Sequence, residues 1–310
     1  MRLQNNEKYI CNRSSRFSWK ISCKRIKKNY QVDSPSSVEC NLLNFKDLKK
    51  IKKKYHYIYH LAAWTQAGDF CLKYPGQQWI LNQQINTNLI IWWKNFQPQA
   101  KLIFIGTSCS YPENTKKLTE SNYMSGEPIE SLYTYAMTKR MLLQGAIACQ
   151  KEFNLKWLCF VPSTLYGPRY HTDGRQMHFI FDLITKIING KLNKKKVILW
   201  GDGNQKREII HVEDFISAIL FLVNKKNNEI INIGSGKEYT IKEFAKKICK
   251  ILDYNFNKIY FDKEKYVGAR SKKLDISKLK KYYRNYVRNN KKIDGGLRQT
   301  INWFLKNQVY

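Results

Sequence analysis

Residues 101–108 read KLIFIGTS: a short apolar run, then a glycine and two hydroxyl side chains. A run this short and this evenly apolar marks a strand buried on both faces, as in a parallel sheet. The same pattern returns downstream in LKWLCFVPS, residues 155–163, after a helical stretch around Tyr135 to Phe153. Upstream stand a strand at Tyr9–Cys11, the strand YQV, and a helix with Phe45, Leu48 and Ile51 on one face. YHYIYHLAA (residues 55–63) and a long helix over Gln78 to Phe96 follow. Strands separated by helices of this length require right-handed crossovers, which build an α/β, doubly wound parallel sheet.

The pattern loosens after Tyr166, where VILW, IINIGSG and KIYFD are short strands set between helices. Thr240 and Glu243 have the spacing of a capping box at a helix start. The division that follows is a first domain over 1–165, to which 208–232 returns, and a smaller α/β C-terminal substrate lobe from 166–207 and 233–310.

The chain has 310 residues, enough to bury one large core or a larger and a smaller one. With 43% apolar residues its composition is globular. The longest apolar runs, LIIWW and WLCFV, are too short to cross a bilayer, and the polar start carries no secretory pattern. A cytoplasmic protein with no membrane partner is the expectation. None of the eight cysteines forms a C-x-x-C pair, so no metal site is signalled, and mostly buried, reduced thiols are expected. The net charge of +31 would suit a polyanion. Lysine, asparagine, isoleucine and tyrosine are abundant together, however, as in the product of an AT-rich coding sequence. No nucleic-acid motif is present, so no nucleic-acid partner is expected. The positive field would still attract phosphorylated substrates.

SLYTYAMTKRM places Tyr135 and Lys139 four residues apart, on one face of a helix. An ammonium beside a phenol stabilises the phenolate and makes the tyrosine a usable acid or base. Thr107 lies at a strand's carboxyl end, where doubly wound sheets place their sites, and its hydroxyl can donate to the same substrate oxygen.

Several motifs in this order, HLAA, GTSCSYP, YTYAMTK, VPSTLYGP, GDGNQKREIIHVEDF, NIGSGKEYTIKEF and KKLDISKL, resemble an extended short-chain dehydrogenase/reductase of the nucleotide-sugar epimerase/dehydratase type. Within it the likeness is to the GDP-L-fucose synthases. The resemblance implies a Rossmann fold, NADP or NAD as cofactor, a nucleotide-diphosphate sugar as substrate, and a homodimer. It makes Thr107, Tyr135 and Lys139 a catalytic triad, with Cys109 and His178 exchanging protons on the sugar carbons. Leu61, Ala62, Ala63, Pro162, Thr164 and His178 would line the cofactor. Ser108, Lys186, Trp200, Arg207 and Arg270 would hold the substrate, Lys186 and Thr164 replacing an arginine and an asparagine of the family pattern. Each residue also has an inert reading. Cys109 is then a thiol at a strand end and His178 a helix cap. Lys186 is a solvated lysine, Trp200 a core residue, and Arg207 a partner of Glu208 or Glu213. His211 reads as a core brace.

The opening turn departs from the family pattern. Asn12, Arg13, Ser14, Ser15, Arg16 and Phe17 occupy the cofactor loop, and Arg13, Arg16 and Trp19 have the i, i+3, i+6 spacing of its glycines. Those glycines serve a tight turn, close approach of backbone to pyrophosphate, and helix–strand packing. Arg169, after YGP, stands where relatives often carry glycine or a small polar residue. Two functions remain open on the sequence. One is an NAD(P)-dependent nucleotide-sugar epimerase/reductase. The other is a catalytically impaired member that keeps the fold and binds nucleotide-sugar or a partner.

Overall fold

Six strands run parallel in one sheet, in the order β2-β1-β3-β4-β5-β9. The computed structural model describes residues 7–12, 31–115, 117–171, 173–265 and 270–310. The sheet is formed by β1 (Lys8–Asn12), β2 (Gln31–Asp33), β3 (Tyr57–His60), β4 (Lys101–Ile105), β5 (Trp157–Pro162) and β9 (Glu229–Ile233). Register pairs Asn12 with His60, His60 with Phe104, and Phe104 with Cys159, so the carboxyl ends of β1, β3, β4 and β5 share one edge. Helices α1 (Phe45–Lys50), α2 (Pro75–Phe96) and α3 (Tyr133–Phe153) cross between these strands.

Local chemistry accounts for the helix limits. Helix α2 begins at Pro75, where a missing N–H costs nothing, a few residues before the apolar periodicity announces it. Its buried face carries Ile85, Leu89, Trp92 and Trp93, and Trp93 Nε1 donates to Ala100 O at 2.8 Å. Helix α3 stops at Asn154, whose left-handed φ of 55° is tolerated best by glycine or asparagine. The two helices lie close together. A Cβ added to Gly145 would sit 2.6 Å from Ile90 Cδ1, so any larger residue requires the Ile90 side chain to shift.

The chain's remainder builds a second apolar core, while its Phe215, Ala218, Ile219, Leu222 and Leu279 join the first. Its elements are β6 (Thr164–Tyr166), α4 (Phe179–Leu192), β7 (Val197–Trp200), β8 (Lys206–His211), α5 (Val212–Leu222), β10 (Glu238–Thr240), α6 (Ile241–Leu252), β11 (Ile259–Asp262), α7 (Ser277–Tyr282) and α8 (Ile293–Lys306). Tyr170, Phe181 and Phe304 stack in series, with centroids 3.7 and 5.9 Å apart. Strand β8 does not enter the six-stranded sheet. It pairs parallel with β6 and antiparallel with β10, so the segment 208–232 reaches the main sheet through β9 alone. The capping box at α6 is present: Thr240 Oγ1 accepts from Glu243 N at 3.1 Å, and Glu243 Oε2 accepts from Thr240 N at 2.6 Å. Among the described residues no helix is long and apolar enough to cross a membrane, and no cluster of ligating side chains could hold a metal.

Candidate active site

Beyond β4 the backbone passes through Gly106 in a space that admits no side chain, since a Cβ there would lie 2.7 Å from Tyr123 Oη. Thr107 follows and caps a single 3-10 turn at Ser108–Ser110, its Oγ1 accepting from Cys109 N at 3.2 Å. Tyr123 is fully buried behind it and accepts from Thr107 N at 3.2 Å.

Helix α3 is fastened against this turn. Ser110 Oγ donates to Ala136 O at 3.2 Å, between Tyr135 and Lys139 in the helix. Arg140 completes the joint. It is 5% exposed and donates to Ser110 O, Ser125 O and Gly126 O. Burial pulls its guanidinium down from the usual arginine value, with the charge satisfied by carbonyl dipoles. Arg140 carries no signal in the sequence, because a basic residue next to the Y-x-x-x-K lysine looks like one more solvated charge.

Lys139 is buried, while Tyr135 is half-buried on the same helix face. The ammonium lies near His60 and Cys159. Burial first, and Lys139 second, push His60 down to about 3, so its imidazole stays neutral. His60 Nε2 sits 3.3 Å from Asn86 Oδ1, and Asn86 Nδ2 donates to Thr138 O at 3.3 Å, which ties β3, α2 and α3 together under the lysine.

Cys109 is half-exposed, whereas the other six described cysteines are buried. Lys272 Nζ donates to its Sγ at 3.4 Å. His178 is exposed at the first position before α4, where its side chain makes no cap. Ser108, Leu61, Ala62, Ala63, Pro162 and Thr164 are half-buried, following or ending strands β3, β4 and β5 and opening β6.

The proposed substrate residues divide. Trp200 is 57% exposed at the end of β7, so the core reading of it is wrong. Lys186 pairs with Asp182 at 2.8 Å on the surface of α4, as a solvated lysine would. Arg207 is half-buried beside Glu238 on the neighbouring strand, and Nη1 donates to Lys206 O at 2.8 Å. Arg270 is exposed and comes close through its backbone, where Lys206 N donates to Arg270 O at 2.8 Å. His211 is the brace expected of it, 2% exposed, with Nδ1 accepting from Glu213 N at 3.3 Å to cap α5.

Asn12 ends β1 in register with His60. Arg13, Ser14, Ser15, Arg16, Phe17 and Trp19 lie outside the described residues. What is described fits a dinucleotide: a buried ammonium, and a buried Ser163 Oγ just past β5 with no hydrogen-bond partner among the described residues. The ammonium suits ribose hydroxyls, and the orphaned hydroxyl suits a polar group entering the cleft.

Residues 7–234 match the model of the NAD dependent epimerase/dehydratase family. GDP-L-colitose synthase of Yersinia pseudotuberculosis is 31% identical over 289 residues, covering 90% of this chain and 91% of that one. GDP-L-fucose synthase of Escherichia coli is 28% identical over 249 residues, covering 76% of this chain and 75% of that one. A GDP-L-fucose synthetase from Naegleria fowleri, solved bound to NADP, superposes with a TM-score of 0.86 at 21% identity, over 99% of this chain and 97% of that one. The chain belongs to the NAD dependent epimerase/dehydratase family.

Proposed function

We propose that this protein is an NAD(P)-dependent nucleotide-sugar epimerase/reductase acting on a GDP-linked 4-keto-6-deoxy sugar. The observation that carries the reading is the joint between the Thr107–Ser110 turn and α3, which fastens a hydroxyl, the Tyr135 phenol and the buried Lys139 along one edge of the sheet. The synthase activities for which the relatives of comparable length are named support it.

Reduced nicotinamide, when bound, supplies hydride. Tyr135 donates its proton to the sugar oxygen as that oxygen gains charge, Lys139 stabilises the phenolate left behind, and Thr107 holds the oxygen in place. Before reduction, carbons next to the ketone are acidic enough to exchange protons with a side-chain base. Cys109 takes that proton on one side and His178 returns one on the other. Arg207 and Arg270 face the diphosphate, and Trp200 offers an exposed indole to the base or sugar. Lys186, already paired with Asp182, contributes charge rather than a fork. The segments 166–207 and 233–310 form the lobe that carries these groups.

The protein works as a homodimer through α2 and α3. In a chain with 25% charged residues, the 22 residues of α2 include one, Lys94. Ile80, Ile91 and Met141 are exposed on these two helices at 62%, 39% and 39%. Two copies each carrying +31 repel one another, and a contact through faces poor in charge keeps like charges from being juxtaposed. A reduced dinucleotide and a nucleotide-activated sugar are cytoplasmic metabolites, which supports a cytoplasmic location.

The deciding experiment titrates purified protein with NADPH and NADH, then follows deuterium incorporation into a GDP-4-keto-6-deoxy sugar. Saturable binding with exchange supports the enzyme. Exchange and reduction both absent, with the sugar nucleotide still bound, would favour a member that binds without turnover.

A further inference from the structure

We propose that Lys272 is the charge partner of the Cys109 sulfur and that the Glu238 carboxylate positions it there. The two residues are 163 positions apart in sequence, yet Lys272 Nζ donates to Cys109 Sγ at 3.4 Å. Lysine is common in this chain, so a contact alone would mean little. Here the stretch bearing Lys272 is fastened at several points. Lys272 N and Ser271 Oγ both donate to the Glu238 carboxylate, at 2.9 Å and at 2.8 and 2.9 Å. Leu274 N donates to Glu208 Oε2 at 2.9 Å, and Asp275 N to Leu118 O at 3.1 Å. Glu208 is itself 1% exposed, and its other oxygen accepts from Gly236 N at 2.6 Å. Two carboxylates thus hold the backbone while the ammonium projects to the sulfur. Among the described residues Lys272 makes no ion pair, so its charge is not spent on an acid.

A thiolate is both the base and the nucleophile, and an ammonium 3.4 Å from the sulfur is placed to offset the charge it carries. Cys109 is also the half-exposed cysteine of the described set, so its sulfur is reachable. During exchange the sulfur accepts the carbon proton and becomes a neutral thiol, and the opposite ring face receives a proton from a second group. Lys272 is therefore a positioning residue for the sulfur rather than a group that meets the reacting carbon. The inference rests on the reading of Cys109 as an exchange base, but the contact can be tested apart from it.

The test is alkylation of the full-length protein by iodoacetamide at pH 7, with the Cys109 peptide quantified by mass spectrometry. Lys272→Met should slow labelling about tenfold, and Lys272→Arg should stay within about threefold of the parent, because a cation is restored. Glu238→Gln leaves Lys272 in place but weakens its tether, and should give an intermediate rate. An unchanged rate in Lys272→Met would overturn the proposal. So would equal slowing in Lys272→Met and Lys272→Arg, which would make shape rather than charge the requirement. If Cys109→Ser leaves deuterium exchange intact while the labelling series behaves as stated, the fault lies in the role given to Cys109, and the Lys272 contact stands.

Discussion

The guanidinium of Arg140 grips the carbonyl of Ser110 through two nitrogens, Nε at 2.9 Å and Nη2 at 2.6 Å. With Ser125 O and Gly126 O it closes the joint between the Thr107 turn and α3. Arg140→Met would leave buried carbonyls without donors, and should lower stability by about 3 kcal/mol in urea unfolding. Arg140→Lys should recover less than half of that, because a point ammonium cannot reproduce the planar fork. Equal stability of Arg140→Met and the parent would show that water replaces the fork at no cost.

Tyr135→Phe should cut the reduction rate by about 10²–10⁴, the usual worth of a general acid, while NADPH binding measured by fluorescence stays within about threefold. Cys109→Ser should slow deuterium exchange at the sugar carbons more than it weakens substrate binding. A Tyr135→Phe enzyme reducing at the parental rate would remove the phenol from the mechanism.

Arg169 follows Gly167 and Pro168 with φ of +72°, in the region where a side chain is strained. Relief of about 1–2 kcal/mol is offset by about 0.5–1 kcal/mol of extra chain freedom in the unfolded state, so Arg169→Gly should stabilise by about 0.5 kcal/mol. Arg169→Val should destabilise instead, since a β-branched residue fits positive φ worst. Thermal midpoints in the order Gly, Arg, Val from highest to lowest would bear this out, and the reverse order would not.

Acid should loosen the cap on α5. Burial first, then the charge of Lys291, pushes His211 down to about 4 from 6.5, so the folded protein holds it neutral where the unfolded chain is protonated. The folded value is the depressed one, so the stabilisation is complete above pH 6.5 and is lost as pH falls toward 4. The loss from this residue is about 3 kcal/mol, with a comparable one from His60 continuing to lower pH. His211→Asn keeps a capping oxygen but cannot titrate, so its unfolding free energy should fall less steeply between pH 6.5 and 4. A slope identical to the parent's would place the acid sensitivity elsewhere.

The double variant Ile80→Glu, Ile91→Glu puts charge on the outward face of α2 and should convert the proposed dimer to monomer in sedimentation velocity. Gly145→Leu should disturb the same region from inside by driving α2 from α3 against Ile90, lowering stability rather than association alone. Dimers unaffected by the double glutamate variant would move the contact to another face.

Among the described residues, hydrophobic periodicity determined the alternating strands and helices from Tyr9 to Ser163, because burial of a strand on both faces or of one helix stripe is a local requirement of the chain. The capping box at Thr240 and Glu243 was legible for the same reason: both partners stand three residues apart. The positions of Thr107, Tyr135 and Lys139 could be read because strand ends and helix faces fix where side chains start. The spacing also told that Tyr135 and Lys139 share a face.

Only the tertiary structure decided which charged residues meet which partners. Arg140, Glu208 and Lys272 look in sequence like three more charges in a chain full of them. Their roles come from partners 30, 66 and 163 positions away, Ser110, Leu274 and Cys109, and no local pattern encodes a contact of that range. The same holds for Trp200, whose apolar context suggested burial although it ends a two-stranded sheet with a 57% exposed indole. Strand β8 likewise carries a core-like pattern that fits either sheet, and its pairing with β6 and β10 was settled by packing. Periodicity records which side of an element is buried, but not what covers it. For this protein the covering elements bring Arg140 to Ser110 and Lys272 to Cys109.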